Sequence, residues 1–162
     1  VDIAKNNFNF DLSTNSYGAL ITNGMKIKNA VIKADKETIH PFEEDLSFNY
    51  GTIFIDTKKQ SSGADSRNVC VFAEGEVDRC PTGSGVSGRM AIHKARKEID
   101  FGETMTIESI TGSVFKGSVI SEEEYGPFKA VIPQVEGNAY ITGMHTFVID
   151  PNDPMKNGFI LK

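Results

Sequence analysis

Apolar positions change period several times along the chain, and each change marks an element. Ile3, Phe8 and Phe10 stand among polar neighbours and read as an opening strand, which Ser13 to Ser16 breaks. From Ser16 to Ala34 the period is helical, with Leu20, Ile27, Val31 and Ala34 on one face and Lys26, Lys28 and Lys33 off it. Gly24 is a weak point inside that helix. His40-Pro41 ends it, because a residue before proline is pushed out of the helical region. Leu46, Phe48 and Tyr50 alternate, and Ile53 and Ile55 resume the alternation past Gly51-Thr52. A polar loop follows from Lys58 to Asp65. Val69, Val71 and Ala73 then alternate with Cys70 and Phe72, a strand apolar on both faces and expected to be buried.

A second helix is expected from Ser84 to Lys97, carrying Met90, Ala91 and Ala95 and ending on His93, Lys94, Arg96 and Lys97. Basic residues in a last turn complement the helix dipole. Beyond Phe101-Gly102 the pattern is β: Met105 to Ile110, Val114 to Ile120, Lys129 to Ile132 and Ala139 to Ile149. Glu122-Glu123-Glu124 reads as a solvated turn between strands. The fold class is therefore α+β, with more strand than helix.

Composition narrows the functions. With 162 residues, 39% hydrophobic and 24% charged, the chain can bury a real core and is far from a disordered composition. A net charge of −5 argues against nucleic acid, whose phosphates need a basic face. No apolar run approaches the roughly 20 residues of a membrane span. Val1-Asp2-Ile3-Ala4-Lys5 has neither the basic start nor the apolar stretch of a secretory signal. The two cysteines, Cys70 and Cys80, are too few for a disulfide scaffold and suit a reducing compartment, so the expected location is the cytoplasm. His40, His93 and His145 are dispersed, with no ligand spacing for a metal.

The unusual stretch is Val77-Asp78-Arg79-Cys80-Pro81-Thr82-Gly83-Ser84-Gly85-Val86-Ser87-Gly88-Arg89. Residues 83–88 match the dinucleotide pattern G-x-G-x-x-G, and Glu108 lies twenty residues beyond Gly88. Pro81-Thr82 at the helix entry and the missing βαβ rhythm downstream count against that reading. A tight turn capped by Thr82 or Ser84 is the plain structural alternative. More generally, unpaired N–H groups at a helix start bind an anion. With Asp78 just before the turn, the pair makes a socket for an amino-acid zwitterion: carboxylate at the helix, ammonium at Asp78.

Asp78-Arg79-Cys80-Pro81-Thr82-Gly83-Ser84-Gly85 resembles the second active-site motif of the proline racemase family, which includes hydroxyproline epimerases and trans-3-hydroxy-L-proline dehydratases. Glu108 to Gly117, Gly137-Asn138-Ala139-Tyr140-Ile141-Thr142-Gly143 and Asp150-Pro151-Asn152-Asp153-Pro154 look like family segments too. The resemblance covers the C-terminal half of a protein about twice this length, and Val1 falls near where that half begins. It implies a diaminopimelate epimerase-like lobe, a mostly antiparallel sheet or barrel around a central helix. Residues 1–145 would form the second lobe, and 146–162 would return to the missing first lobe. That first lobe would supply the catalytic base, a cysteine, and the partners would be a proline-type amino acid and a second copy in a homodimer. Lys5-Asn6-Asn7 and Gly88 depart from the family pattern, where an aromatic with two glycines and an alanine are usual.

The decisive departure is Thr82, which stands where racemases and epimerases carry their second cysteine. Racemisation needs two groups that exchange acid and base roles, and a threonine hydroxyl is too weak an acid to serve as an alkoxide base. Elimination of water needs one base, with the second group only relaying a proton. The resemblance thus implies a hydro-lyase without metal or organic cofactor, converting trans-3-hydroxy-L-proline to Δ1-pyrroline-2-carboxylate. The alternatives are a racemase or epimerase that tolerates threonine, and a non-catalytic amino-acid binder. The implied roles are Thr82 at the leaving hydroxyl, the N–H groups of Gly83 and Ser84 on the carboxylate, Asp78 on the ring ammonium, and Phe72 against the ring. Cys80 need not face the substrate, and Cys70 reads as a small core residue.

Overall fold

The computed structural model describes residues 1–34, 38–58, 60 and 62–160, so part of the expected 58–65 loop and the last two positions lie outside the described residues. The elements are α1 (Tyr17–Ala34), β1 (Gly51–Asp56), β2 (Ser66–Phe72), β3 (Glu76–Val77), α2 (Gly83–Ala95), β4 (Met105–Glu108), β5 (Val114–Tyr125) and β6 (Phe128–Glu136). The strands form one sheet in the order β1-β2-β4-β5-β6, with the short β3 also on β2. Every pairing is antiparallel except β2 with β4. This is the expected α+β lobe, with the sheet curled about α2 but not closed.

Strand parity explains the layering. On β1 and β2, Phe54, Val69 and Val71 point to α1, where they pack on Leu20, Leu12 and Ile3. The opposite face of β2 presents Ser66, Asn68 and Cys70 to α2, so this buried strand has one apolar face and one mixed face, not two apolar ones. A second cluster joins Val86 and Met90 of α2 to Ile99, Ile107 of β4 and Val119 of β5. The segment between α1 and β1 reaches the β5–β6 tip, where Tyr125 packs edge-on against Phe42 and its hydroxyl meets His40 Nε2 at 3.2 Å.

Four further sequence expectations change. The opening segment is a turn, not a strand: Asp2 Oδ1 accepts the N–H groups of Ala4 and Lys5, and Asn7 is left-handed. Its aromatics are still core-directed, since Phe8 and Phe10 meet Phe54 edge-on. Leu46 closes a single 3-10 turn and Phe48 precedes β1, so the alternation at 46–50 reflects aromatics turned to a cavity. Glu122-Glu123-Glu124 lies within β5, exposed, and the turn comes at Gly126. Ala139 to Ile149 forms no strand, and Ile141, Met144 and Phe147 are about nine-tenths exposed. Apolar alternation makes a strand only where a neighbour offers a ladder, and no described segment does so here. Among the described residues, no helix is long and apolar enough to cross a membrane.

Gly24 is explained by close approach. A Cβ there would lie 2.7 Å from Val71 Cβ, and the Gly24 carbonyl accepts Thr52 Oγ1 at 3.0 Å. Gly88, in contrast, faces open space. Ala should therefore act oppositely at the two sites. Gly88→Ala is expected to stabilise by about 1 kcal/mol through helix propensity. Gly24→Ala gains the same propensity but overpacks rigid Val71, at a cost of roughly 1–3 kcal/mol, and should destabilise on balance. Urea unfolding of the two variants measures both signs.

Candidate active site

The β2–β3 hairpin and the start of α2 place the motif residues. The turn after β2 uses left-handed Ala73 (φ 44°) and Gly75, and Lys28 Nζ holds the Ala73 carbonyl at 2.5 Å. The chain returns alongside β2, and the Asp78 N–H donates to the Cys70 carbonyl at 3.1 Å. Pro81 is buried, and Thr82 then takes φ 69° and ψ 102° as the residue before α2. A β-branched residue at positive φ is an outlier that the surroundings must enforce, at a cost on the order of 1–3 kcal/mol.

That strain aims the Thr82 side chain away from its helix. Its hydroxyl makes no cap bond and instead donates to Asp78 Oδ2 at 2.5 Å. The Thr82 carbonyl accepts the Val86 N–H at 2.8 Å, so the N–H groups of Gly83, Ser84 and Gly85 precede the first intrahelical donor. Free N–H groups at a helix start are of the kind that can hold an anion.

These groups open on a cavity of about 550 Å³. Asp78, Thr82, Ser84 and Phe72 line it, together with Cys70, Ile53, Gly85 and an aromatic rim of Phe48 and Tyr50. The Tyr50 ring lies 5.5 Å from Phe72 and 6.1 Å from Phe48. Gly83, at the first position of α2, is half-buried and is not among the lining residues. Cys80 turns the other way: it borders a neighbouring cavity with Arg79 and Tyr140, and its Sγ accepts the Thr82 N–H at 3.4 Å. Cys70, expected as a core residue, is buried yet reaches the cavity wall.

Two further features escaped sequence reasoning. Thr111 Oγ1 and Ser113 Oγ both donate to the Arg79 carbonyl, at 2.7 and 3.2 Å, and fasten the motif loop to the β4–β5 turn. Asn68 Nδ2 donates to the Pro81 carbonyl at 3.2 Å from β2. Neither follows from local spacing, because each joins segments that only the sheet brings together. The nucleotide reading of residues 83–88 fails on structure. A hairpin intervenes between β2 and α2, and Glu108 is buried in an ion pair with Arg67 at 2.8 Å. Among the described residues, no group of His, Cys, Asp and Glu is arranged to hold a metal ion.

The sequence profile of the family described as proline racemase matches residues 1–160. The chain belongs to the proline racemase family. A trans-3-hydroxy-L-proline dehydratase of Colwellia psychrerythraea is 50% identical over 143 residues, covering 88% of this chain and 40% of that protein. A trans-L-3-hydroxyproline dehydratase of Bos taurus is 40% identical over 153 residues, covering 94% and 43%. Among solved structures, a probable proline racemase of Agrobacterium radiobacter with bound carbonate has a TM-score of 0.84 at 28% identity, covering 99% of this chain and 46% of its own. A hydroxyproline epimerase of Agrobacterium vitis with bound trans-4-hydroxy-L-proline has a TM-score of 0.80 at 25% identity, covering 99% and 45%. The chain thus spans about two-fifths of the length of the curated relatives it matches.

Burial acts on the Cys70 thiol of β2. It pushes Cys70 up from 9.0 to about 11, with Thr82 as a partly offsetting hydrogen-bond partner and Asp78 adding repulsion. Because the folded thiol titrates above the unfolded one, its contribution to stability is complete below pH 9 and is lost as the pH rises towards 11. At pH 8 the thiolate fraction of Cys70 should be about a hundredfold below that of an unburied thiol. Iodoacetamide labelling followed by peptide mass spectrometry should therefore leave Cys70 unmodified in the native protein and modify it after denaturation.

Proposed function

We propose that this chain is the second lobe of a hydro-lyase that removes water from trans-3-hydroxy-L-proline to give Δ1-pyrroline-2-carboxylate. The observation that carries the reading is Thr82, a hydroxyl bonded to Asp78 at the open start of α2, where reversible two-base chemistry would need a thiol. The names and 40–50% identities of the dehydratase relatives support it. Residues 1–145 would form the lobe, and 146–162 would return to the N-terminal half. The exposed apolar side chains of Ile141, Met144, Phe147 and Phe159 suit such a partner surface. That half supplies the base, a cysteine thiolate.

The substrate carboxylate sits on the N–H groups of Gly83 and Ser84, which also stabilise the charge that grows on it as Cα is deprotonated. Asp78 holds the ring ammonium, and Phe72 packs the ring. The thiolate takes the Cα proton, the C3–O bond breaks, and the electron pair forms the C2=C3 double bond. An ammonium proton passes to Asp78, from Asp78 to Thr82, and from Thr82 to the departing hydroxyl, which leaves as water. The neutral enamine then tautomerises to the Δ1-imine. Side chains supply the base and the proton relay in this reading, which includes no metal or organic cofactor. It also includes a homodimer in the cytoplasm, and the two free thiols, Cys70 and Cys80, are in keeping with a reducing compartment.

The test is product analysis with this chain joined to its N-terminal half. Incubation with trans-3-hydroxy-L-proline in D2O should yield Δ1-pyrroline-2-carboxylate and no epimerised substrate. Interconversion of L- and D-proline without elimination would instead establish the racemase alternative. Thr82→Val, which keeps the shape and removes the relay, should lower kcat by about a hundredfold or more.

A further inference from the structure

Arg89, in the second turn of α2, is buried at 6% exposure, and its hydrogen bonds go to Ser66, Asn68, His93 and Met105, with no carboxylate among them. Its Nε is buried without a partner among the described residues. A buried guanidinium left in that state is costly, and burial lowers its affinity for the proton. A function beyond packing is the natural place to look for its compensation.

The donor inventory fixes the direction of every bond around it. Guanidinium has no acceptor, so the Asn68 atom 3.0 Å from Arg89 Nη1 is Oδ1, and the amide nitrogen must face the Pro81 carbonyl. Likewise His93 Nε2, 3.2 Å from Arg89 Nη2, must accept. The imidazole proton is then on Nδ1, donated to Glu98 Oε2 at 2.6 Å. Two donor arms therefore leave the guanidinium: Arg89 donates to His93, which donates to Glu98, and Arg89 donates to Asn68, which donates to the carbonyl of the peptide that enters Thr82. Asn68 is fully buried, so its amide has no solvent alternative. Bonds aligned in this way strengthen one another.

We propose that Arg89, acting through Asn68, is a positioning device for Thr82: it fixes the Pro81–Thr82 peptide and so enforces the left-handed backbone that aims the Thr82 hydroxyl at Asp78. The Ser109–Ser113 turn grips the same loop two residues earlier, at the Arg79 carbonyl. The strained residue is thereby held from two sides. Arg89 supplies a fixed donor, and His93 with Glu98 supplies the distant negative charge that balances it.

This inference rests on the dehydratase reading for its kinetic test and has a second readout that does not. Asn68→Asp separates positioning from structure, because Asp gives Arg89 a carboxylate while removing the donor to the Pro81 carbonyl. In the two-lobed protein this variant should unfold at or above the wild-type midpoint. Its kcat should fall about tenfold with KM changed less than about twofold. In 15N-threonine-labelled protein, the Thr82 amide resonance, assigned by its loss in Thr82→Ser, should move. A kcat within twofold of wild type, or an unmoved resonance, overturns the proposal. If wild type shows no turnover, the function reading fails and the resonance alone decides this one. Should Asn68→Asp not fold, the decision passes to His93. His93→Leu, lacking an acceptor, should lower kcat about threefold and shift the same resonance, and His93→Gln should restore both. Equal behaviour of all three overturns the proposal.

Discussion

The constraint on which the site depends is the burial of α2 inside the curl of the sheet. Val86 and Met90 are wholly excluded from solvent against Ile107 and Val119. Burying those two side chains is worth roughly 3–6 kcal/mol, enough to fix the helix axis against the strands. With the axis fixed, the first turn of α2 meets, through Ser84 and Gly85, the cavity bordered by β1, β2 and the Phe48–Tyr50 rim. A helix start that opens on a cavity presents N–H groups and a partial positive charge there. At an exposed end the dipole is worth ~0.3–1 kcal/mol to an anion, and more where water is excluded.

Around that outlet, strand parity distributes the chemistry. One face of β2 gives Val69 and Val71 to the α1 core, and the other gives Asn68, Cys70 and Phe72 to the α2 side. The same strand thus stabilises the fold, braces the Thr82 turn and walls the cavity. Asp78 reaches the site because β3 returns it alongside Cys70. Thr82 is held in a conformation that its side chain disfavours, which is the usual sign of a site where stability has been traded for aim. Its hydroxyl is committed to Asp78, so a proton can move between that carboxylate and the hydroxyl over a short distance.

Much of this was legible in the sequence because it is local. The first helix followed from 3.6-residue periodicity and the second from Met90, Ala91, Ala95 and its basic end, and the motif residues Asp78 to Gly85 are contiguous, so one hairpin and one helix start suffice to gather them. What was not legible depends on which strands become neighbours. The grip of Thr111 and Ser113 on Arg79, and that of Asn68 on Pro81, spans 13 to 34 residues. The parity that turns Cys70 to the cavity is set by where α1 and α2 lie, and spacing cannot reveal it. The opening turn was misread because an Asp2 side chain captured backbone donors that a strand would have given to a neighbour. The segment after β6 carries strand-like alternation with no ladder to complete it.

In the proposed function, the start of α2 and Asp78 together recognise a proline-type zwitterion. A structure of the two-lobed protein with pyrrole-2-carboxylate, a planar mimic of the deprotonated intermediate, tests it directly. The carboxylate is expected on the N–H groups of Gly83 and Ser84, with the ring nitrogen towards Asp78 and C3 facing the Thr82 hydroxyl. A carboxylate bound away from the first turn of α2, with Thr82 out of reach of C3, would contradict it.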